Sequence, residues 1–211
     1  MLMAELGETM RLVELVSARL CHDLGGLIGT VSNALEMVKE DVGENNEVVA
    51  FAASAGKALT QRLRLMRAAW GPEIEAMTLP ALTGLAGPPL SGRRIGLDLR
   101  ALPPGSVFPP PVGRVVLNLI LLAGDCLPKG GVIILLGEPA DLLIRIAGPG
   151  AAWPPGLAAC MRDEASAVAA LTSARTVQMP LTVLFALSRN LVLSPVLGPV
   201  SGIEAVRLSS A

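Results

Sequence analysis

The chain has 211 residues, a formal net charge of −1 and hydrophobic residues at 52% of its positions. Near-neutrality excludes the bulk basicity that nucleic acid or an anionic membrane attracts, and the most apolar run, residues 115–124, is far short of the ~20 residues a bilayer span needs. With no Tyr, three Phe and two Trp, the core falls to Leu, Val, Ile, Ala and Met, in a chain long enough for one or two domains.

The N-terminal third predicts a helical hairpin. Large apolar residues at Val13, Val16, Leu20, Leu24, Leu27, Val31, Leu35 and Val38 recur in steps of three and four, the stripe of an amphipathic helix over residues 6–40. The polar, Gly-containing stretch 41–46 breaks it. A second helix over 47–70 carries its own stripe at Val48, Ala52, Ala55, Leu59, Leu63, Met66 and Trp70, and Gly71-Pro72 stops it. One hairpin leaves much of each seam uncovered, so a four-helix bundle in a homodimer is expected.

Beyond about Pro80 strand and helix signals alternate. A strand is expected over 94–100 and a strongly apolar helix over 112–127, with Pro111 at its start. Two strands, 132–137 and 142–147, join through Glu138-Pro139-Ala140-Asp141 as a hairpin. Helical segments follow around 157–171 and 180–190, and strands at 191–197 and 203–208 close the chain. The fold class is α+β: a helical hairpin over 1–72, then a sheet covered by helices, an α/β sandwich, over 79–211.

Cys21, Cys126 and Cys160 are odd in number, far apart and without a CxxC. They read as small buried side chains in a reducing compartment, and no metal site is expected. Residues 1–9 carry acids and no apolar core, so no secretory signal is read there; a soluble cytoplasmic protein is expected.

His22 is the only histidine. At 100° per residue it projects roughly 170° from the centre of its helix stripe, beside Ala18, Gly25, Gly26 and Gly29. Three glycines weaken a helix by ~1 kcal/mol each, and they leave the face bare. An imidazole presented this way suits acid–base work, metal ligation or phosphoryl acceptance. Metal ligation lacks partners, and a hydrolase lacks a nearby nucleophile and oxyanion hole. Phosphoryl transfer needs only the exposed nucleophile and room for an in-line approach. Arg19, one turn earlier, reads either as an ordinary solvated arginine or as a group that holds an incoming phosphate. Asp23 follows His22 directly, but adjacent helical residues do not face each other.

Residues 17–24 (Ser-Ala-Arg-Leu-Cys-His-Asp-Leu) and 29–37 (Gly-Thr-Val-Ser-Asn-Ala-Leu-Glu-Met) resemble the phosphoacceptor helix of the ChpT-type histidine phosphotransferases of alphaproteobacteria. They also resemble, more distantly, the dimerisation helix of sensor histidine kinases. Residues 116–119, 123–131 and 174–178 are similar to later stretches of the same family. Where such helices often place a proline after His-Asp, this chain has Gly25-Gly26.

The resemblance implies that His22 takes a phosphoryl group from an aspartate of one receiver domain and passes it to another, with Asp23 tuning the imidazole. Arg19, Gly26, Gly29, Thr30 and Asn33 would contact the receiver. The partners implied are receiver domains of response regulators and of a hybrid histidine kinase, with no nucleic acid and no membrane. No cofactor is implied on this chain, Mg²⁺ being held by the receiver alone. The second domain would be a degenerate kinase-like (Bergerat-type) ATPase domain. Where a kinase's nucleotide helix carries two asparagines or their equivalent, this chain has Asn118 and Leu122. Ile146 stands in the place of the adenine-binding aspartate, before a plain turn at Gly148-Pro149-Gly150. Neither Leu122 nor Ile146 offers a polar atom for metal or adenine. Two alternatives remain open from sequence: an atypical histidine kinase, and a dimeric scaffold that binds a response regulator without chemistry.

Overall fold

The computed structural model describes residues 2–40, 46–71, 75–198 and 202–210. Two long helices, α1 (Leu2–Glu40) and α2 (Asn46–Trp70), come first and pack along their length. Of the stretch expected to break them, residues 41–45 lie outside the described residues, as does Pro72, and Asn46 already opens α2. Asp23 of α1 bonds Arg62 of α2, and these stand about equally far from the connection, so the helices run antiparallel. Glu47 in the first turn of α2 and Arg67 in the last complement the helix dipole. Gly71 closes the helix through its N–H on Arg67 O at 2.9 Å. A Cβ there would sit 2.4 Å from that same oxygen, so glycine is required.

Next come β1 (Met77–Thr78), α3 (Leu79–Ser91), β2 (Ile95–Ala101), β3 (Val107–Phe108) and α4 (Pro110–Asp125). They are followed by β4 (Gly131–Glu138), β5 (Asp141–Ala147), α5 (Leu157–Cys160), α6 (Glu164–Ala169), α7 (Gln178–Leu187), β6 (Leu191–Leu197) and β7 (Ile203–Ser210). The main sheet has strand order β2-β4-β5-β7-β6. The β2–β4 pair is parallel and the other three pairs are antiparallel. As expected, β4 and β5 form a hairpin, in register from Glu138↔Asp141 to Val132↔Ala147.

Strand alternation sends Ile133 and Leu135 of β4, Leu142 and Ile144 of β5, and Val206 and Leu208 of β7 into the core. Against that face lies α4, which packs on β4 and β5 and is buried from Val115 to Gly124. α3 covers the β2 side and α7 the β6 side.

Three features depart from the expected elements. The helix α3 was not among the expected elements, and it contains Pro88 and Pro89. Each removes one N–H donor to the carbonyl four residues earlier. Thr78 caps it, its Oγ1 accepting from Ala81 N at 3.4 Å, and Leu82, Ala86 and Leu90 bury one face between α2 and β2. Second, the segment 157–171 is two short helices, with Asp163 capping α6 through Ser166 N at 2.7 Å. Third, β1 and β3, of two residues each, pair to tie the start of α3 to the start of α4.

The apolar stripe of α1 is divided. Ala34 is buried and Leu20, Leu24, Leu27 and Val31 are half-buried, whereas Leu6, Met10, Val13, Ile28 and Leu35 are about half or more exposed. Among the described residues no helix is long and apolar enough to cross a membrane.

Candidate functional site

His22 stands out from α1 with its side chain 81% exposed. Ala18, Gly25, Gly26 and Gly29 around it are exposed, and a Cβ on any of these glycines would meet nothing within 4 Å. The surface is open to a large partner. Asn33 is also exposed, and Thr30 returns its hydroxyl to Gly26 O at 2.9 Å.

Asp23 is the polar centre of the site, its side chain only 10% exposed. Its Oδ2 accepts from Arg19 Nε at 2.9 Å and from Arg62 Nη2 at 2.8 Å. Its Oδ1 lies 3.3 Å from His22 Nδ1. Neighbours on a helix do not face each other, yet a carboxylate tied down from the inner side still reaches the adjacent ring. Burial works against its charge, but the hydrogen bonds from Arg19 and Arg62 outweigh that and hold the carboxyl below its ordinary value.

A depressed pKa in the folded state stabilises the fold above the unfolded value of 3.8, and this contribution is lost as the pH falls through the lower folded value. Asp23→Asn is therefore expected to flatten part of the stability loss below about pH 4. Denaturant melts of both proteins across that range measure it, and parallel curves would refute it.

Arg19 does not point its charge at the solvent. Besides Asp23 it reaches Asp125 Oδ2 at the end of α4, 2.8 Å from Nη2, and Arg175 O, 3.1 Å from Nη1. Its side chain is 11% exposed. Burial disfavours its charge, but Asp125 and Asp23 more than compensate and raise its pKa. The sequence left Arg19 as a solvated side chain or a phosphate holder. In the structure it is a bridge from the hairpin to the sheet domain. Arg11 reinforces the same seam, donating to Leu171 O at 2.8 Å and Thr172 O at 3.2 Å. Between hairpin and sheet domain lies a cleft of about 1230 Å³, lined by His22, Asp23, Arg62, Arg93, Asp125 and Arg175 among others.

Arg62 and Asp125 were missed from sequence, though both left a signal. Arg62 falls between Leu59 and Met66 on the inner side of the α2 stripe. Asp125 ends α4, where the helix dipole disfavours an acid unless cations neutralise it; Arg19 and Arg93 do so.

Asn118 is fully buried and its polar atoms are engaged. Nδ2 donates to Ala69 O at 2.8 Å and Arg114 O at 3.0 Å, and Oδ1 accepts from Gln178 Nε2 at 3.1 Å. Gln178 also reaches Thr182 Oγ1 at 3.1 Å. Leu122 is buried at the cleft wall, and Ile146 packs partly buried on the core. Cys126 and Cys160 are buried as expected, which pushes their thiols up to about 12, with help from Asp125, and about 11 respectively. Cys21 departs from that expectation and is exposed.

A helical hairpin with one presented histidine, joined to a helix-covered mixed sheet, defines a phosphotransfer-type architecture. The family described as "Histidine phosphotransferase C-terminal domain" matches residues 81–197, more than half the chain, and the chain belongs to it. Among solved structures it is similar to a bacterial phosphotransferase at 20% identity and a TM-score of 0.71, covering 94% of this chain and 95% of that one; the likeness is one of fold. It is also similar to the Acinetobacter baumannii histidine kinase AdeS at 11% identity, TM-score 0.44, covering 89% and 95% of the two chains. No curated protein sequence matches it.

Proposed function

We propose that this chain is a phosphorelay histidine phosphotransferase, which accepts a phosphoryl group on His22 from a receiver-domain aspartate and returns it to another. One observation carries the reading: a lone imidazole, 81% exposed on a bare helix face, with a held carboxylate at its Nδ1. With Nδ1–H donated to Asp23, the lone pair of Nε2 is free to attack. The P–Nε2 bond forms as the P–O bond of the aspartyl phosphate breaks, and the receiver carboxylate leaves with the electron pair. The ring becomes cationic, and the ionised Asp23 stabilises it until a second receiver aspartate reverses the step.

The side chains favour a relay without ATP. Asn118 is spent on internal hydrogen bonds, and Leu122 and Ile146 have no polar atoms to offer. Magnesium would arrive with the receiver's own carboxylates. Gly26, Gly29 and Asn33 fit the receiver-facing surface, and Thr30 shapes its edge. Incubation with a panel of labelled phospho-receivers, one from a hybrid histidine kinase, tests the reading. The expected product is an acid-labile, alkali-stable phosphorylated chain. No label from any receiver would sink it, and labelling from ATP and magnesium would move the assignment to a kinase.

The homodimer belongs to the same proposal. Leu6, Met10, Val13, Ile28 and Leu35 leave an apolar stripe on α1 away from His22, and a second hairpin would cover it. Light scattering at micromolar concentration is expected to give twice the chain mass. Ile28→Glu is expected to halve it, by placing a charge in the buried seam. A monomeric wild type would contradict this.

A further inference from the structure

We propose that Asp125, from the sheet domain, is a positioning residue for His22, acting through Arg19 and Asp23 to set which ring nitrogen is left free. The inference rests on the phosphotransfer reading of His22 and extends it to a residue 103 positions away in the chain. A continuous path supports it: Asp125 Oδ2 to Arg19 Nη2 at 2.8 Å, Arg19 Nε to Asp23 Oδ2 at 2.9 Å, and Asp23 Oδ1 to His22 Nδ1 at 3.3 Å.

Arg19 is 11% exposed, and a guanidinium so far out of water stays put only while its partners hold it. Its planar fork gives Nε to one carboxylate and Nη2 to the other. Without the Asp125 charge, the remaining partners are Asp23 and a single neutral carbonyl, Arg175 O. The fork is then less constrained, and its grip on Asp23 Oδ2 loosens while Arg62 keeps hold of the same oxygen. The 3.3 Å contact at the ring is already long for a hydrogen bond, so a small rotation of the carboxylate ends it. Asp125 has a second, longer contact, its other oxygen lying 3.4 Å from Arg93 Nη1. The domain that lacks a kinase's polar groups at Leu122 and Ile146 thus holds the residue that orients the phosphoacceptor.

The single histidine makes the test direct. In uniformly ¹⁵N-labelled protein at about pH 9, above the imidazole range, the ring gives one pair of nitrogen signals. Wild type is expected to favour the Nδ1–H tautomer, and Asp23→Asn to lose that preference. Asp125→Asn is expected to move the ratio at least halfway toward that of Asp23→Asn and to slow receiver-to-His22 transfer about three- to tenfold, the worth of one such hydrogen bond. Arg19→Lys, whose ammonium cannot span both carboxylates, is expected to shift the ratio the same way, and it decides the matter if Asp125→Asn fails to fold. Wild-type tautomer ratios in Asp125→Asn and Arg19→Lys, or in Asp23→Asn itself, overturn the proposal. If wild-type His22 takes no phosphate, the relay reading falls, and the ring signals still decide this one.

Discussion

His22→Ala is expected to lose receiver-dependent phosphorylation by at least about 1,000-fold, because the variant has no other side chain placed to accept the group. Its stability is expected to remain within about 0.5 kcal/mol of wild type. The side chain is 81% exposed and its one polar contact is the 3.3 Å approach of Asp23. That carboxylate keeps Arg19 and Arg62 when the ring is removed, so the seam between hairpin and sheet domain is untouched. Alanine is also the better helix former. Transfer kinetics and a thermal melt on the same preparation separate the two effects. Label on the variant above a tenth of the wild-type level would place the phosphoacceptor elsewhere, and an unstable variant would show that His22 is part of the packing.

Asn118→Leu is expected to cost roughly 1–3 kcal/mol of stability, the penalty of taking hydrogen-bond partners from buried polar groups. Leucine has nearly the same size, so cavity formation contributes little. The loss falls on Gln178, 2% exposed, whose Nε2 gives up Asn118 Oδ1 and keeps the backbone oxygen of residue 118 and Thr182 Oγ1, and on Ala69 O, which among the described residues keeps the 3.3 Å contact from Arg114 Nε. Gln178 cannot turn to solvent, and Thr182 beside it is fully buried. Adding Gln178→Met is expected to recover part of the loss, since removing both partners of a buried hydrogen bond is cheaper than removing one. Equilibrium denaturation of wild type, single and double variants measures this. A single variant as stable as wild type would mean that the network is dispensable, and that the amide was free for another purpose.

Much of the architecture is legible in the sequence. The periodicities of α1 and α2, the β4–β5 hairpin and the apolar α4 all come from local rules that compare a residue with neighbours a few positions away. The presented face around His22 was legible for the same reason. Helical phase alone puts Ala18, Gly25, Gly26 and Gly29 beside it and the apolar stripe behind it. α3 escaped because its stability is tertiary. Its prolines oppose a helix locally, and burial of Leu82, Ala86 and Leu90 between α2 and β2 outweighs them. β1 and β3 are too short to leave a pattern at all.

The site divides along the same line. From the sequence alone come the lone outward histidine, the carboxylate next to it and the bare glycine surface, since residue identity and helix phase determine each of them. Only the tertiary structure decided where Arg19 points and what Asp23 does. An arginine's long side chain takes its direction from the charges within reach, and those charges, Asp125 from α4 and Arg62 from α2, are remote in sequence and adjacent only after folding. The same packing makes Asn118 a core hydrogen-bond hub. His22 is presented by its own helix, and the carboxylate beside it is held by an arginine that also bonds the domain folded against that helix.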